Sequence, residues 1–442
     1  MRLSYQLCRP LLCHLFLFCF SCSFSFGQWA EHRGPNGQGH SDSSLPTTWS
    51  VSTNITWATE IPGRGYSSPV ILGDQVWVTS AIEFEETDEA ALAERLKENT
   101  GGQPVQVLKK VQLFAVCLDR ETGEIIHNTQ LIEKENPQWV HELNSYASPT
   151  PVLEAGRLYC HFGSYGSAAV DTKTGKRIWL NTDVNVMHEN GPASSPVVVG
   201  DHFIFHADGS DKQFIYALNK HTGKTAWKVA RSGEMHENPQ LKKAYGTPVV
   251  LGKGGRAEII SPAANWLYCY DPRDGKEKWK LAYGDLGFSN VSRPVLGDGM
   301  IFTSTCFMKA KMLGIRYDGL GEEPVIEWEY AKGVPSTPSP ILVGDELYFT
   351  DEKIGFLTCL DAETGKLNYK ERLGGKYMAS PIHANGLIYF VNNEGKAAIV
   401  KAGPEFELVS EPTVDEPVLS SPAALDGAIY LRTKTKLYRI EE

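Results

Sequence analysis

Three short stretches of the chain gather residue types that chemistry often uses. They read His141-Glu142-Leu143-Asn144, His188-Glu189-Asn190 and His236-Glu237-Asn238. Each puts an imidazole, a carboxylate and a side-chain amide within four residues. Imidazoles ligate zinc, copper or iron, whereas carboxylate and amide oxygens suit calcium. The same groups could instead contact a polar substrate. They could also be structural, with His and Asn capping loop carbonyls and Glu left in solvent. A second set of polar residues, Arg64, Tyr66, Tyr146, Tyr245, Asn290, Arg293 and Tyr377, recurs just ahead of short apolar strands.

Whether these residues can meet depends on a unit that recurs along nearly the whole chain. It is clearest from Ser194 to Val229, where SSPVVV, FIFHA, FIYAL and TAWKV are separated by Gly-Asp and Asn-Lys-His-Thr-Gly turns. Four short runs rich in Val, Ile, Phe and Tyr, joined by tight turns, make an antiparallel meander. Further copies start at Ser67, Ser148, Gly246, Ser292, Thr337, Ser380 and Ser420. Their spacing is roughly 41 to 52 residues apart from one long gap after the first, which is the period of a β-propeller with four strands per blade. The last copy has three strands, and Ile55 to Ile61, with Trp57, supplies the missing fourth. Pairing the two ends closes a ring and removes the open sheet edges. The expected fold is all-β, an eight-bladed propeller, with seven blades as the alternative count.

The turn before each fourth strand starts at Asp119, Asp171, Asn219, Asp271 or Asp361 and ends on Gly. Asx residues bond their own backbone two residues on, and Gly takes the positive φ that closes the turn. Four residues beyond that Gly stand Trp179, Trp227, Trp279 and Tyr369, with His127 breaking the pattern and Trp328 in a looser fifth copy. These aromatics are read as packing between blades. The Asp-x-x-Thr-Gly-x-x-x-Trp pattern with Ser-Pro at the first strands resembles the PQQ-binding-like β-propeller repeat family, over roughly Trp29 to Glu442. The resemblance implies the quinoprotein alcohol dehydrogenase-like superfamily and an architecture similar to BamB-type propellers of the outer-membrane assembly machinery. A fold of this breadth does not fix an activity.

In a meander, turns 1–2 and 3–4 lie on one face of the disc and loops 2–3 and 4–1 on the other. The first set is short and uniform. The second is long and irregular, and it carries all three His-Glu-Asn stretches. Binding residues concentrate in such loops, around the mouth of the central channel. An insertion at 82–110, in the first copy's 2–3 loop, reads as partly helical. Thr87 or Asp88 caps it, Asn99 to Gly101 stops it, and Leu92 and Leu96 give it an apolar stripe.

Residues 1–27 read as a secretory signal: Arg2 and Arg9, an apolar core, then Ser25-Phe26-Gly27 before Gln28. An uncleaved anchor and a lipoprotein acylated at Cys22 are the alternatives. The remainder, 28–442, is expected to be one propeller domain, extracytoplasmic (periplasmic or secreted), and monomeric. The net charge of −10 becomes more negative still without the two arginines, which argues against nucleic acid as the main partner. No second apolar stretch is long enough to span a bilayer. Cys117, Cys269 and Cys359 share one repeat slot and Cys160 another, so these thiols read as small buried apolar groups on separate blades. Arg316 and Arg439 align with the first slot, through either a register shift or a paired arginine.

The resemblance implies PQQ with calcium as a cofactor, but the chain has no adjacent Cys-Cys pair and no Cys-x-x-Cys-His haem site. No cofactor is firmly expected and no catalytic residue is assigned. The expected function is non-catalytic binding or scaffolding through the long-loop face, with a protein partner or small polar ligand at the channel mouth. The alternatives are a PQQ-dependent dehydrogenase-like enzyme, or a saccharide-binding protein or hydrolase with a rim metal.

Overall fold

A computed structural model of the chain describes residues 28–97, 99, 102–283, 287–319, 321 and 323–442. The signal-like segment 1–27 lies outside them, as do residues 98, 100 and 101 at the expected helix stop. Eight antiparallel sheets of at least four strands each form the blades. In the third, Val197–Val199, His202–Asp208, Gln213–Asn219 and Thr225–Ala230 run in sequence order from the inside outward. Their buried faces stack on the neighbouring blades, so Val197, Ile204 and Ile215 meet Ile259 and Tyr268 of the next sheet.

The ring closes as expected. Ile55–Glu60 is the outer strand of the last blade and pairs antiparallel with Lys436–Ile440. Trp57 stands opposite Arg439, the slot where Trp179 faces Ala169, Trp227 faces Ala217 and Trp279 faces Cys269. The indoles of Trp57, Trp179, Trp227 and Trp328 reach over the next blade's turn. Trp57 Nε1 donates to the Arg120 carbonyl at 3.0 Å, Trp179 to Lys220 at 2.9 Å and Trp328 to Ala362 at 2.9 Å. The ring also covers the turn glycine: a Cβ on Gly223 would lie 2.5 Å from the Trp179 ring. Thus the repeated Gly and the repeated Trp form one contact between blades.

That register settles the arginine question in two ways. In the fifth blade the slot belongs to Gly314, opposite Phe302 and Trp328, and Arg316 is displaced outward to pair with Glu327 at 2.8 Å. In the last blade Arg439 does occupy the slot, and it pairs with Glu121 at 2.8 Å and Glu441 at 2.9 Å. The five described cysteines, Cys117, Cys160, Cys269, Cys306 and Cys359, are all free and buried.

Within 82–110, strand extends further than the sequence indicated. Gln75–Glu85 and Leu108–Asp119 lengthen the second and third strands of the first blade, and among the described residues between them only Glu89–Leu96 is helical. Asp88 caps that helix, accepting from the Ala90 and Ala91 N–H groups. The helix buries no residue of its own, and Arg95 ties it to the Leu108 and Pro137 carbonyls.

The largest departure from expectation is at the axis. Gln28–Trp29 pairs antiparallel with the innermost strand Val70–Leu72, and His40–Ser41 pairs parallel with Ile382–Ala384, the innermost strand two blades round the ring. Residues 28–41 therefore form a hairpin inside the channel, rising along blade 1 and returning along blade 7.

Candidate functional site

The turn of this hairpin is built for a narrow space. Arg33, Gly34, Asn36, Gly37 and Gly39 all have positive φ. A Cβ on Gly34 would lie 2.5 Å from the Trp29 ring, and one on Gly37 would lie 2.1 Å from the Arg293 guanidinium. Glycine is the residue that such a close approach admits. Arg293, 1% exposed, holds the turn: it donates to the Pro248 carbonyl at 3.1 Å, to the His32 carbonyl and to Glu31 at 2.9 Å. Gln38 Oε1 accepts from Leu296 N at 2.9 Å, so several blades grip the segment.

Above the turn the channel opens as a funnel of about 1020 Å³, with His32 in its lining. Its neck is a belt of hydroxyls contributed by the residue before the first-strand proline of each blade. Ser68 N donates to Thr150 Oγ1 at 2.9 Å, Thr150 N to Ser195 Oγ at 2.9 Å, and Ser195 N to Thr247 Oγ1 at 3.1 Å. Across the ring Arg293 N donates to Ser339 Oγ at 2.8 Å, Ser339 N to Ser380 Oγ at 3.0 Å, and Ser380 N to Ser421 Oγ at 2.9 Å. Proline has no N–H to offer, so the preceding residue makes the link between blades. Blade 5 alone has no hydroxyl there; Arg293 takes the position and reaches to the hairpin instead.

The funnel wall carries Lys243, Lys353 and Lys376 against one carboxylate, Glu352, which already accepts from Thr337 Oγ1 at 2.9 Å. Burial lowers the Lys243 pKa and Glu189 opposes the shift. Asn144, Asn190 and Asn393 add amides, and Phe288, Phe307 and Met378 add apolar surface. Phe307 lies in a loop where Cys306, Met308 and Lys309 all have positive φ, a strained conformation of the kind that collects at binding sites.

The His-Glu-Asn stretches do reach this face, but they do not converge as one site. His141 Nδ1 accepts from Leu143 N at 3.1 Å, His188 Nε2 from Ser164 N at 2.9 Å, and His236 Nδ1 from Asn238 N at 2.9 Å. The imidazoles thus cap backbone N–H groups, where carbonyls had been expected. Burial pushes the His188 imidazole down to about 4, with Asp211 opposing, so it is neutral and suited to that acceptor role. Asn144 Nδ2 donates to the Asn190 carbonyl at 2.7 Å, which ties two of the loops together. Glu189 Oε2 accepts from Gln240 and from Lys243, and Asn238 Oδ1 caps Gln240 N at 3.0 Å. Glu142, His236 and Glu237 are exposed. Among the described residues no group of three His, Cys, Asp or Glu side chains is arranged to hold a metal ion.

Of the expected rim residues, Tyr66, His141, Asn144, Asn190 and Tyr245 line the funnel. Arg64, Tyr66 and Glu142 line a smaller adjoining cavity of about 420 Å³. Arg64 bonds Gln106 Oε1 at 2.6 Å and the Glu142 carbonyl at 2.9 Å, fastening the insertion to the next loop. Three others leave the rim for the interior. Tyr146 is buried with its hydroxyl on the Gln138 carbonyl at 2.8 Å, Asn290 is buried against the Ala263 carbonyl at 3.2 Å, and Arg293 anchors the hairpin. Tyr377 is also buried. The hydroxyl belt and the hairpin were not anticipated. Their signals were present: Ser or Thr before Pro in seven of eight blades, and the run Gly34-Pro35-Asn36-Gly37-Gln38-Gly39, dense in turn residues yet outside every repeat.

The family described as outer membrane protein assembly factor BamB matches over residues 105–211 and 211–355, more than half of the chain. The BamB of Yersinia pestis is 24% identical over 273 residues, which cover 59% of this chain and 65% of that protein. The glycerol dehydrogenase large subunit of Gluconobacter thailandicus is 28% identical over 130 residues, 26% of this chain and 17% of the relative. The chain thus spans less than two thirds of either curated relative. Among solved structures, BamB from Moraxella catarrhalis superposes with a TM-score of 0.58 at 12% identity, over 88% of this chain and 97% of that one.

Proposed function

Because the chain belongs to the family of BamB-type outer membrane protein assembly factors, we propose that it is a non-catalytic binding or scaffold propeller whose working surface is the face bearing the funnel. The observation that carries this is the one-sided build of the disc. One face is closed by repeated Asx-Gly turns and indole contacts. The other opens a cavity of about 1020 Å³ with apolar side chains at its mouth, Leu143 at 56% and Met308 at 62% exposure. Apolar groups beside polar ones around a concavity suit a protein or peptide partner. The relatives' names support a role beside the outer membrane and, with it, an extracytoplasmic location. Among the described residues no helix is long and apolar enough to cross a membrane.

The test is site-specific photocrosslinking in cells that express the protein. A photoreactive residue at Leu143 or Met308 yields a defined adduct, whereas one at Lys173, on the turn face, yields none. Equal adducts from both faces, or none from the funnel, would sink the reading.

A PQQ-dependent dehydrogenase is the second reading, favoured by the likeness to the glycerol dehydrogenase subunit. The donor set does not fit a calcium-held quinone. The funnel lining offers one carboxylate, already engaged, against three lysines, whereas calcium takes six to eight oxygen ligands (about that number) with carboxylates among them. Saturable, calcium-dependent quenching of tryptophan fluorescence by PQQ would restore that reading, and a flat titration retires it.

A further inference from the structure

Each belt hydroxyl that accepts a neighbour's N–H has one of its two lone pairs engaged, and its own proton is left to point elsewhere. This holds for Thr150, Ser195, Thr247, Ser339, Ser380 and Ser421. None of these hydroxyls donates to another described residue, each is between 2% and 6% exposed, and each lines the funnel. Ser68, 2% exposed, adds a hydroxyl that also lines the funnel. The neck is a ring of converging O–H donors.

Behind the belt, and not itself in the funnel lining, lies Arg33, 0% exposed, with Nε and Nη1 lacking a hydrogen-bond partner among the described residues. Its Nη2 donates to the Gln38 carbonyl at 3.3 Å, and it stands beside Pro381, immediately after the belt residue Ser380. A Cβ on Gly39 would lie 2.9 Å from Arg33 Nη2 and 3.1 Å from the Pro381 carbonyl. Glu31, the carboxylate of the hairpin turn, is taken by Arg293. His32, in the funnel floor, also has a buried Nδ1 without a partner among the described residues. Burial, with Arg293 adding repulsion, brings the Arg33 guanidinium down to about 9. A guanidinium held this deep without a carboxylate is costly. The wall above adds three lysines, in a chain whose net charge is −10.

We propose that the neck of the funnel binds an oxyanion, a carboxylate or phosphate group on the end of a ligand whose remainder lies in the funnel. Donors without acceptors, above a buried guanidinium, match a group that accepts on all sides. A cation would leave the belt's hydroxyl protons unmet and would face Arg33 and the wall lysines, and a donor-rich neutral group would leave Arg33 unmet. The amides and apolar side chains higher in the wall hold the rest of the molecule. This deepens the reading of the funnel face as the working surface and rests on it.

The experiment is isothermal titration calorimetry of the purified protein with inorganic phosphate and, separately, with acetate. Thermal melts are run on the parent and on two variants, Ser68→Ala and Arg33→Gln. Ser68 Oγ accepts no hydrogen bond from a described residue, so Ser68→Ala removes a donor from the ring and leaves its links between blades intact. Expected is saturable binding of one of the anions, weakened by about tenfold in Arg33→Gln and about threefold in Ser68→Ala. Stronger binding of phosphate or of acetate identifies which group the natural ligand carries. Absence of saturable heat from both anions overturns the proposal. So does parental affinity in Ser68→Ala, which decides the matter even if Arg33→Gln fails to fold. Failure here with funnel-specific photocrosslinks intact would leave the binding face standing without its anion; the converse result would do the opposite.

Discussion

The outer turns and the inner channel of this propeller are both made by repetition, yet they use it differently. On the turn face the repeat is self-sufficient: Asp171 or Asn219 accepts backbone N–H groups of its own turn, and a ring from the previous blade, the His127 imidazole or the Trp179 indole, covers the turn glycine. At the axis the repeat is incomplete. Six hydroxyl links are made from blade to blade, but blade 5 puts Arg293 in the hydroxyl position, and a non-repeated hairpin at 28–41 fills the space. A local repeat builds a rigid wall; a broken repeat with an added segment makes a place on the axis unlike any other. Uniform turns give stability and the exception gives the site its charge.

The contrast is sharpest at Arg293. Replacing it with Met leaves Glu31 without its partner and releases the hairpin turn, at a cost of about 3 kcal/mol, measurable by urea denaturation. Gly37→Ala follows, because its φ is +69° and a Cβ would meet the Arg293 guanidinium; a loss of about 2 kcal/mol is expected. On the turn face, Trp179→Phe removes one indole bond while keeping most of the packing, so the expected loss is about 1 kcal/mol. A larger loss for the indole than for Arg293 would invert the comparison.

Buried imidazoles add a dependence on pH. Burial pushes His161 down to about 3, with His188 adding repulsion, and His188 itself down to about 4. Both bind protons more readily in the unfolded chain, whose histidines titrate near 6.5. Their contribution is complete above about pH 6.5 and is lost as pH falls towards 4, at up to about 1.4 kcal/mol per pH unit for each histidine. Denaturation midpoints measured across that range test this, and His188→Gln makes the slope shallower. The smallest effect belongs to the exposed rim: His236→Ala changes stability by about 0.5 kcal/mol or less. The three His-Glu-Asn stretches together give no zinc-dependent or calcium-dependent melting shift that their alanine variants abolish.

Much of the fold could be read from the sequence because each blade restates the same local rules. The Asx-Gly turns, the Trp spacing and the need to close the ring with Ile55–Glu60 depend on residues near one another in the chain or on edge pairing, and all were legible. The site was less so. His141, His188 and His236 carry the residue types of a metal centre, but each imidazole is satisfied by a nearby N–H, which the residue types alone do not reveal. Arg293 looked like a rim residue because its position before the strand matched Tyr66 and Tyr146. Its partners lie in a segment more than 250 residues away in the chain (His32 and Glu31, at separations of 261 and 262), beyond any local pattern. The hydroxyl belt was hidden in plain repeat, as Ser-Pro read only as the start of a strand.

The hairpin at 28–41 is the floor of the funnel, and without it the channel has no closed end. Native-state hydrogen exchange over residues 28–41 tests it directly. If the segment is seated in the channel, the amides of Gly34 and Gly39, bonded to the Glu31 carbonyl at 2.9 Å and the Arg33 carbonyl at 2.8 Å, exchange as slowly as the inner strand Val70–Leu72. Exchange of the whole segment at the rate of an unstructured peptide would mean an open channel without a floor, and would contradict the site described.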